Sequence, residues 1–226
     1  MHRSAPLRAL FLLATIAQCS FAQSGPAALA TPPEDNRAYG VLPNYRTAES
    51  STPFAPITSK QKFTLAWKDS ANGPSYVMGA LFSSLSQVNN TNPSFGQGLK
   101  GYGHRYITAL ADQDLGNMLT EGFLPSLLHE DPRFFRKGTG GGWSRAGYAA
   151  SRVLVTRTDK DTWRFNTSEF LGNGIVAAAG NLYYPDARSG PDTALRMFSQ
   201  IGTDAISNVL KEFWPDVKKK WQARKH

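Results

Sequence analysis

Four side chains in one stretch are candidates for acid–base or metal chemistry. They are His104, Asp114, Glu121 and His129, all inside residues 101–137. Set on a helix at 100° per residue, His104, Thr108, Ala111, Leu115, Met118, Gly122 and His129 share one face. Leu110, Asp114, Asn117, Glu121 and Leu128 fall on a neighbouring stripe. Asp114 and Glu121 stand seven residues apart, two turns up one side, with Asn117 between them. Their apolar neighbours predict partial burial. Burying a carboxylate pair raises one pKa, the setting a general acid or a divalent-metal site needs. The same stripe also reads as a packing device whose carboxylates pair with arginines of a neighbouring segment, Arg145, Arg152 and Arg157 being the candidates. Structural ion pairs perturb pKa values too, so the packing reading takes precedence.

The densest polar knot is His129-Glu130-Asp131-Pro132-Arg133-Phe134-Phe135-Arg136. His129 has the chemistry of a base or a metal ligand, and Arg133 and Arg136 that of an anion clamp. The knot lacks the H-E-x-x-H spacing that sets two histidines on one helix face. The plainer reading is a helix end in which Asp131 caps the next turn and the arginines pair locally. Residues 96–101 match G-x-G-x-x-G, but no strand precedes them, so a nucleotide cofactor is not expected. Residues 142–147 brush against the serine-hydrolase elbow with the second glycine one place late. Asn89-Asn90-Thr91 and Asn166-Thr167-Ser168 fit glycosylation acceptors, which only a eukaryotic secretory route uses.

The ends bear on location. Residues 1–22 carry Arg3 and Arg8, a short apolar run from Leu10 to Ala17, and small residues at Ser20 and Ala22. That pattern predicts a secretory signal, too short to span a membrane. The single cysteine, Cys19, lies within it, with Gln18 where a lipoprotein signal wants a small residue. Cleavage after Ala22 leaves a chain without cysteine and without disulfides, as suits an exported bacterial protein of the periplasm or outer membrane surface. The whole chain carries 25 Lys and Arg against 17 Asp and Glu; removing Arg3 and Arg8 lowers the net charge from +8 to +6. That is mildly basic and lacks the dense clustering of a nucleic-acid binder. Much of the excess sits in residues 218–226, where Lys218, Lys219, Lys220 and Trp221 suit an anionic surface.

Between the ends, residues 23–57 are rich in Pro, Ala, Ser and Thr without apolar periodicity, which predicts a disordered leader. Residues 58–217 read as one all-α domain of five or six helices with Gly and Pro joints. Thr58 with Gln61 forms a capping box for the first helix. A second helix runs from Ser75 to Val88. The central stretch should kink or restart near Leu124 because Pro125 removes a donor, and end at residues 129–131. Ser144 caps a helix to about Thr156, with a β-hairpin near 153–165 as the alternative. Asn166 with Glu169 starts a helix that Pro185 ends, and its residues 172–180 are small enough for close helix approach. The last helix runs from about Pro191 to Phe213, where Pro215 closes it. Asp114, Asn117, Leu119 and Glu121 are echoed by Asp204, Asn208, Leu210 and Glu212, a loose internal repeat.

The run Leu128–Arg136, then Arg145-Ala146-Gly147-Tyr148 and Val155-Thr156-Arg157-Thr158-Asp159, resembles exported proteins of soil bacteria over roughly residues 60–217. That resemblance implies export and a bacterial source, and no activity comes with it.

Two function classes follow. The first is a non-enzymatic envelope protein that associates with a membrane surface or another envelope protein and uses no cofactor. The second is an envelope hydrolase built on Asp114, Glu121, His104 and His129, with a divalent metal where the carboxylates meet.

Overall fold

The computed structural model describes residues 46–49, 54–71 and 73–224, all within one unit of the chain. The expected signal at 1–22, Cys19 and the leader up to residue 45 lie outside them. The fold is mostly helical, with a few short strands.

Helix α1, Ser59–Ser70, starts on the Thr58–Gln61 capping box, with both reciprocal bonds made. Helix α2, Gly73–Val88, follows and packs on α3, Gly98–Asn117. The central stretch restarts as an α-helix at Leu124, one of the two outcomes expected beside Pro125. It passes through a π turn, Met118–Phe123, into a short helix α4, Leu124–Leu128. Pro125 has no amide to give, and the extra residue of the π turn lets Leu124 N–H reach back to Leu119 instead. His129 then stops the helix in the left-handed conformation, φ 56°. Glu130 and Asp131, expected within the helix end, instead form strand β2, Glu130–Asp131.

Strand β3, Phe134–Arg136, pairs in parallel with β1, Thr47–Glu49. Part of the expected leader therefore belongs to the fold: Thr47 sits opposite Phe134, and Ile57 is buried beside Leu65. Helix α5 is Gly142–Ser151, shorter than expected. The hairpin alternative forms after it, with β4, Val155–Thr158, antiparallel to β5, Trp163–Phe165, and β2 on the other edge of β4. Helix α6, Thr167–Gly180, is capped by Asn166, whose side chain accepts from Glu169 N–H.

Helix α7 overturns the expected stop at Pro215. It runs unbroken from Gly190 to Ala223 with Pro215 inside, so residues 218–223 of the basic stretch continue the helix. The ring deprives one carbonyl of its amide. Side chains brace that turn beside the lost bond: Glu212 O accepts Arg136 Nε at 2.8 Å and Arg145 Nη2 at 2.9 Å, and Arg136 Nη2 binds Asp216 at 2.7 Å.

The interior is unusual. The largest fully buried side chains include Lys62, Glu121, Glu130, Asp131 and Glu212. Large apolar residues face outward: Tyr76, Val77, Met78, Leu81, Phe82, Leu85 and Val88 on α2, and Leu195, Phe198, Ile206, Leu210 and Val217 on α7. Helices meet through small residues. Gly79 on α2 lies against Tyr106 and Leu110 of α3, and a Cβ at Gly172 of α6 would stand 2.6 Å from Thr120. Close approach through glycine is how helices pack when their larger apolar side chains are turned elsewhere.

Candidate functional site

Five elements converge on one buried group of charges. Arg46 comes from the residue before β1, Asp69 from the last turn of α1 and Glu121 from the π turn. Glu169 comes from the first turn of α6, and Asp204 and Lys211 from α7. Arg46 Nη1 donates to Glu121 Oε1 and, at 3.4 Å, to Asp69 Oδ2; its Nε donates to Pro132 O at 2.9 Å. Two carboxyl groups thus meet on one guanidinium nitrogen. The Asp69 charge acts on Glu121, and the Asp204 charge on Glu169. Asn173 Nδ2 donates to Glu169 Oε1 at 3.0 Å. A cavity of about 40 Å³ opens here, lined in part by Arg46, Ser168, Glu169, Asp204, Asn208 and Lys211. At about 10–15 Å³ per water it has room for a few. Ser168 Oγ on its wall and Glu121 Oε2 are both buried without a hydrogen-bond partner from the protein.

Burial pushes the Glu121 carboxyl well above the usual range; Arg46 opposes this and Asp69 adds to it. Burial does the same to Glu169, reinforced by Asp204. Burial disfavours the Arg46 charge, but Glu121, Asp69, Asp204 and Glu169 outweigh it and raise its pKa. Lys211 is lowered by burial and by Arg46, against the pull of Asp69, Glu121 and Asp204.

The four residues singled out for chemistry do not come together. The Oδ1 of Asp114 is buried without a partner, and burial raises its pKa against the opposing influence of Ser70. Glu121 belongs to the cluster just described. His104 is exposed, with its ring stacked on Phe95 at 3.9 Å. His129 is 81% exposed, its Nδ1 3.7 Å from Asp159. Among the described residues no group of three or more His, Cys, Asp or Glu is placed to hold a metal ion.

The arginines also differ from expectation. None of Arg145, Arg152 and Arg157 pairs with Glu121 or Asp114. Arg145 Nε binds Glu212 at 2.7 Å, Arg157 pairs with Asp161, and Arg152 lies over the rings of Tyr148 and Trp163. Arg133 and Arg136, taken as an anion clamp, are consumed internally. Arg133 Nη2 binds Asp131 at 2.6 Å and Ala55 O at 2.7 Å, and Arg136 is buried against Glu212 and Asp216. Asp131 also accepts from Arg133 N–H at 3.0 Å, the expected cap. Lys219 and Lys220 are exposed on the last turns of α7, and Trp221 is half-exposed.

The residues that sequence reasoning missed are Arg46, Glu169, Asp204 and Lys211. Arg46 sits in a stretch whose composition reads as leader, and Glu169 reads as a capping partner. One signal was available: Asp204 and Lys211 are seven residues apart, the same two-turn spacing as Asp114 and Glu121.

The glycine motif of residues 96–101 has a structural use. A Cβ at Gly101 would lie 2.3 Å from Gly96 O. Arg105 fills the loop, donating to Thr91 O, Asn92 O and Gly96 O. A wider cleft of about 370 Å³ between α2, α3 and α7 holds Arg105 and Arg196. Arg196 donates to Ala177 O and Ala187 O, so both of the cleft's guanidinium groups already serve main-chain carbonyls.

No family model matches the chain, and neither a curated protein nor a solved structure matches it.

Proposed function

We propose that this chain is an exported cell-envelope protein, akin to the soil-bacterial proteins it resembles, whose work is to seat on a membrane surface. The carrying observation is the reversal of polarity: the largest buried side chains are charged, and the large aliphatic and aromatic ones point outward. A contiguous outward apolar face marks an interaction site, because free surfaces rarely leave one uncovered. Lipid is the occupant we favour for four reasons.

The apolar residues recur on several helices, including α2, α6 and α7, whereas one protein partner would need one patch. The helices meet through glycine and other small residues, the packing used where the surroundings are as apolar as the side chains. The basic end of α7, with Lys219, Lys220 and Trp221, complements an anionic headgroup layer. Trp67 and Trp143 are 65% and 91% exposed, and indoles favour the boundary between headgroup and acyl chain. Among the described residues no helix is long and apolar enough to cross a membrane, so the seat is at the surface.

On this reading the buried charges are structural. The hydrolase alternative rests on four residues that make separate contacts. The test is co-sedimentation with vesicles of phosphatidylcholine carrying a minority of phosphatidylglycerol. Binding that strengthens with the anionic lipid and weakens with salt is expected. A chain left wholly in the supernatant at low salt overturns the proposal.

A further inference from the structure

We propose that the cleft between α2, α3 and α7 binds a single-chain amphiphile whose head is an uncharged oxygen group, an alcohol or an ester, paired with the hydroxyl of Ser83.

The walls set the size and the apolar part of the ligand. The cleft measures about 370 Å³. A dry cavity of about 150 Å³ takes a benzene ring, so this space suits roughly fifteen non-hydrogen atoms. Phe82 and Leu195 stand exposed at its rim, and Ala109 lines it further in. Ser83, Arg105 and Thr108 are its buried lining residues and mark the floor. Apolar walls with a few polar groups at depth are the usual form of a small-molecule site.

Ser83 supplies the polar end. The residue is 1% exposed, and its Oγ is buried without a hydrogen-bond partner. Its neighbour Ser84 closes on Ala80 O at 2.8 Å, and Thr108 Oγ1 closes on His104 O at 2.9 Å, the back-bonding open to hydroxyls on a helix. Ser83 does not use it. Among the described residues of the wall, Ser83 Oγ is the one buried side-chain polar atom left without a partner. An unmade hydrogen bond at a buried hydroxyl costs stability, and a ligand oxygen placed there recovers it.

The four charged groups on the wall are already engaged. Arg105 donates to Thr91 O, Asn92 O, Gly96 O and Gln87 Oε1. Arg196 donates to Ala177 O, Ala187 O and Asn181 Oδ1. Asp112 accepts the hydroxyls of Tyr183 and Tyr184, and Asp192 accepts the amide and hydroxyl of Ser189. A charged head of either sign would lose its hydration and face like charges on the wall. An alcohol or ester meets Ser83 without that cost. The inference does not depend on what covers the outer faces.

Equilibrium dialysis of the purified full chain with radiolabelled monooctanoylglycerol, kept below its aggregation concentration, tests the site. Saturable binding at a single site per chain is expected, with octanoate, the same chain on a charged head, binding more weakly. Ser83→Ala removes an unpartnered hydroxyl and keeps the space, so this variant is expected to fold as the native chain does. It should weaken binding about tenfold, the worth of one hydrogen bond. No binding by the folded native chain overturns the site. Uptake that never saturates and that Ser83→Ala leaves unchanged is adsorption to the outer apolar faces; it overturns the site and leaves the membrane seat standing. Saturable binding that Ser83→Ala weakens supports the site even where vesicles fail to sediment the protein.

Discussion

Arg46 and Glu121 are 75 residues apart in sequence and share a direct ion pair at the centre of the fold. The contact fastens a segment whose composition reads as leader to the π turn of the central stretch. Removing one partner of a buried pair leaves the other uncompensated. Arg46→Ala is therefore expected to cost about 3–5 kcal/mol in denaturant unfolding. Since Glu121 relieves its charge by taking a proton, the loss should shrink as the pH is lowered.

The second clamp is Glu212. Its carboxylate accepts Arg145 Nε at 2.7 Å, Lys137 N at 2.9 Å and Gly138 N at 2.9 Å, and its residue is fully buried. Glu212→Gln removes the charge Arg145 needs and places a donor against one of the two amides. A loss of about 3–5 kcal/mol is expected, measured by urea unfolding. Loosened helix around Pro215 should appear as faster amide exchange in the last turns of α7.

The dependence on pH should have two limbs. Glu121 and Glu169 have raised folded values, so the fold binds more protons than the unfolded chain. Their stabilisation is complete below the ordinary glutamate value of about 4.3 and is lost as pH rises towards the folded values, at about 1.4 kcal/mol per pH unit for each proton retained. Asp216 acts oppositely. Burial opposes its charge, but Arg145 and Arg136 outweigh burial and hold it below the usual range. Its contribution is present above about pH 4 and disappears on further acidification. Stability should peak in mild acid. Glu121→Gln/Glu169→Gln should flatten the upper limb alone, as measured by unfolding across pH.

Two glycines two positions apart on α6 should respond differently. A Cβ at Gly172 meets Thr120 Cγ2 at 2.6 Å, whereas at Gly174 the nearest atom is Met197 Sδ at 3.7 Å. Gly172→Ala should cost about 1–3 kcal/mol by overpacking the helix contact. Gly174→Ala should be neutral or stabilising, since alanine favours helix. Thermal unfolding of the pair checks this.

Several local features were legible in sequence because local chemistry decides them. The Thr58–Gln61 box, the Asn166 cap and the β-prone residues after Val153 are examples. The long-range partners were not. Glu121 shows its helix face in sequence, but nothing local says that Arg46 answers it. Pro215 reads as a stop because its ring breaks a helix by itself, yet arginines from two other elements hold that turn. Apolar periodicity marked α2 and α7 correctly as helices. It tells that one face differs from the other and not which face turns inward, and here the charged one does at Glu121, Glu169 and Glu212.

The central claim is that lipid covers the outward apolar faces, and tryptophan fluorescence tests it most directly. The exposed indoles of Trp67, Trp143, Trp163 and Trp221 should be quenched by vesicles whose acyl chains carry bromine. Leu81→Glu/Leu85→Glu, on residues 54% and 58% exposed, should abolish the quenching without lowering stability. Fluorescence of the folded native protein that brominated vesicles leave unchanged would contradict the account.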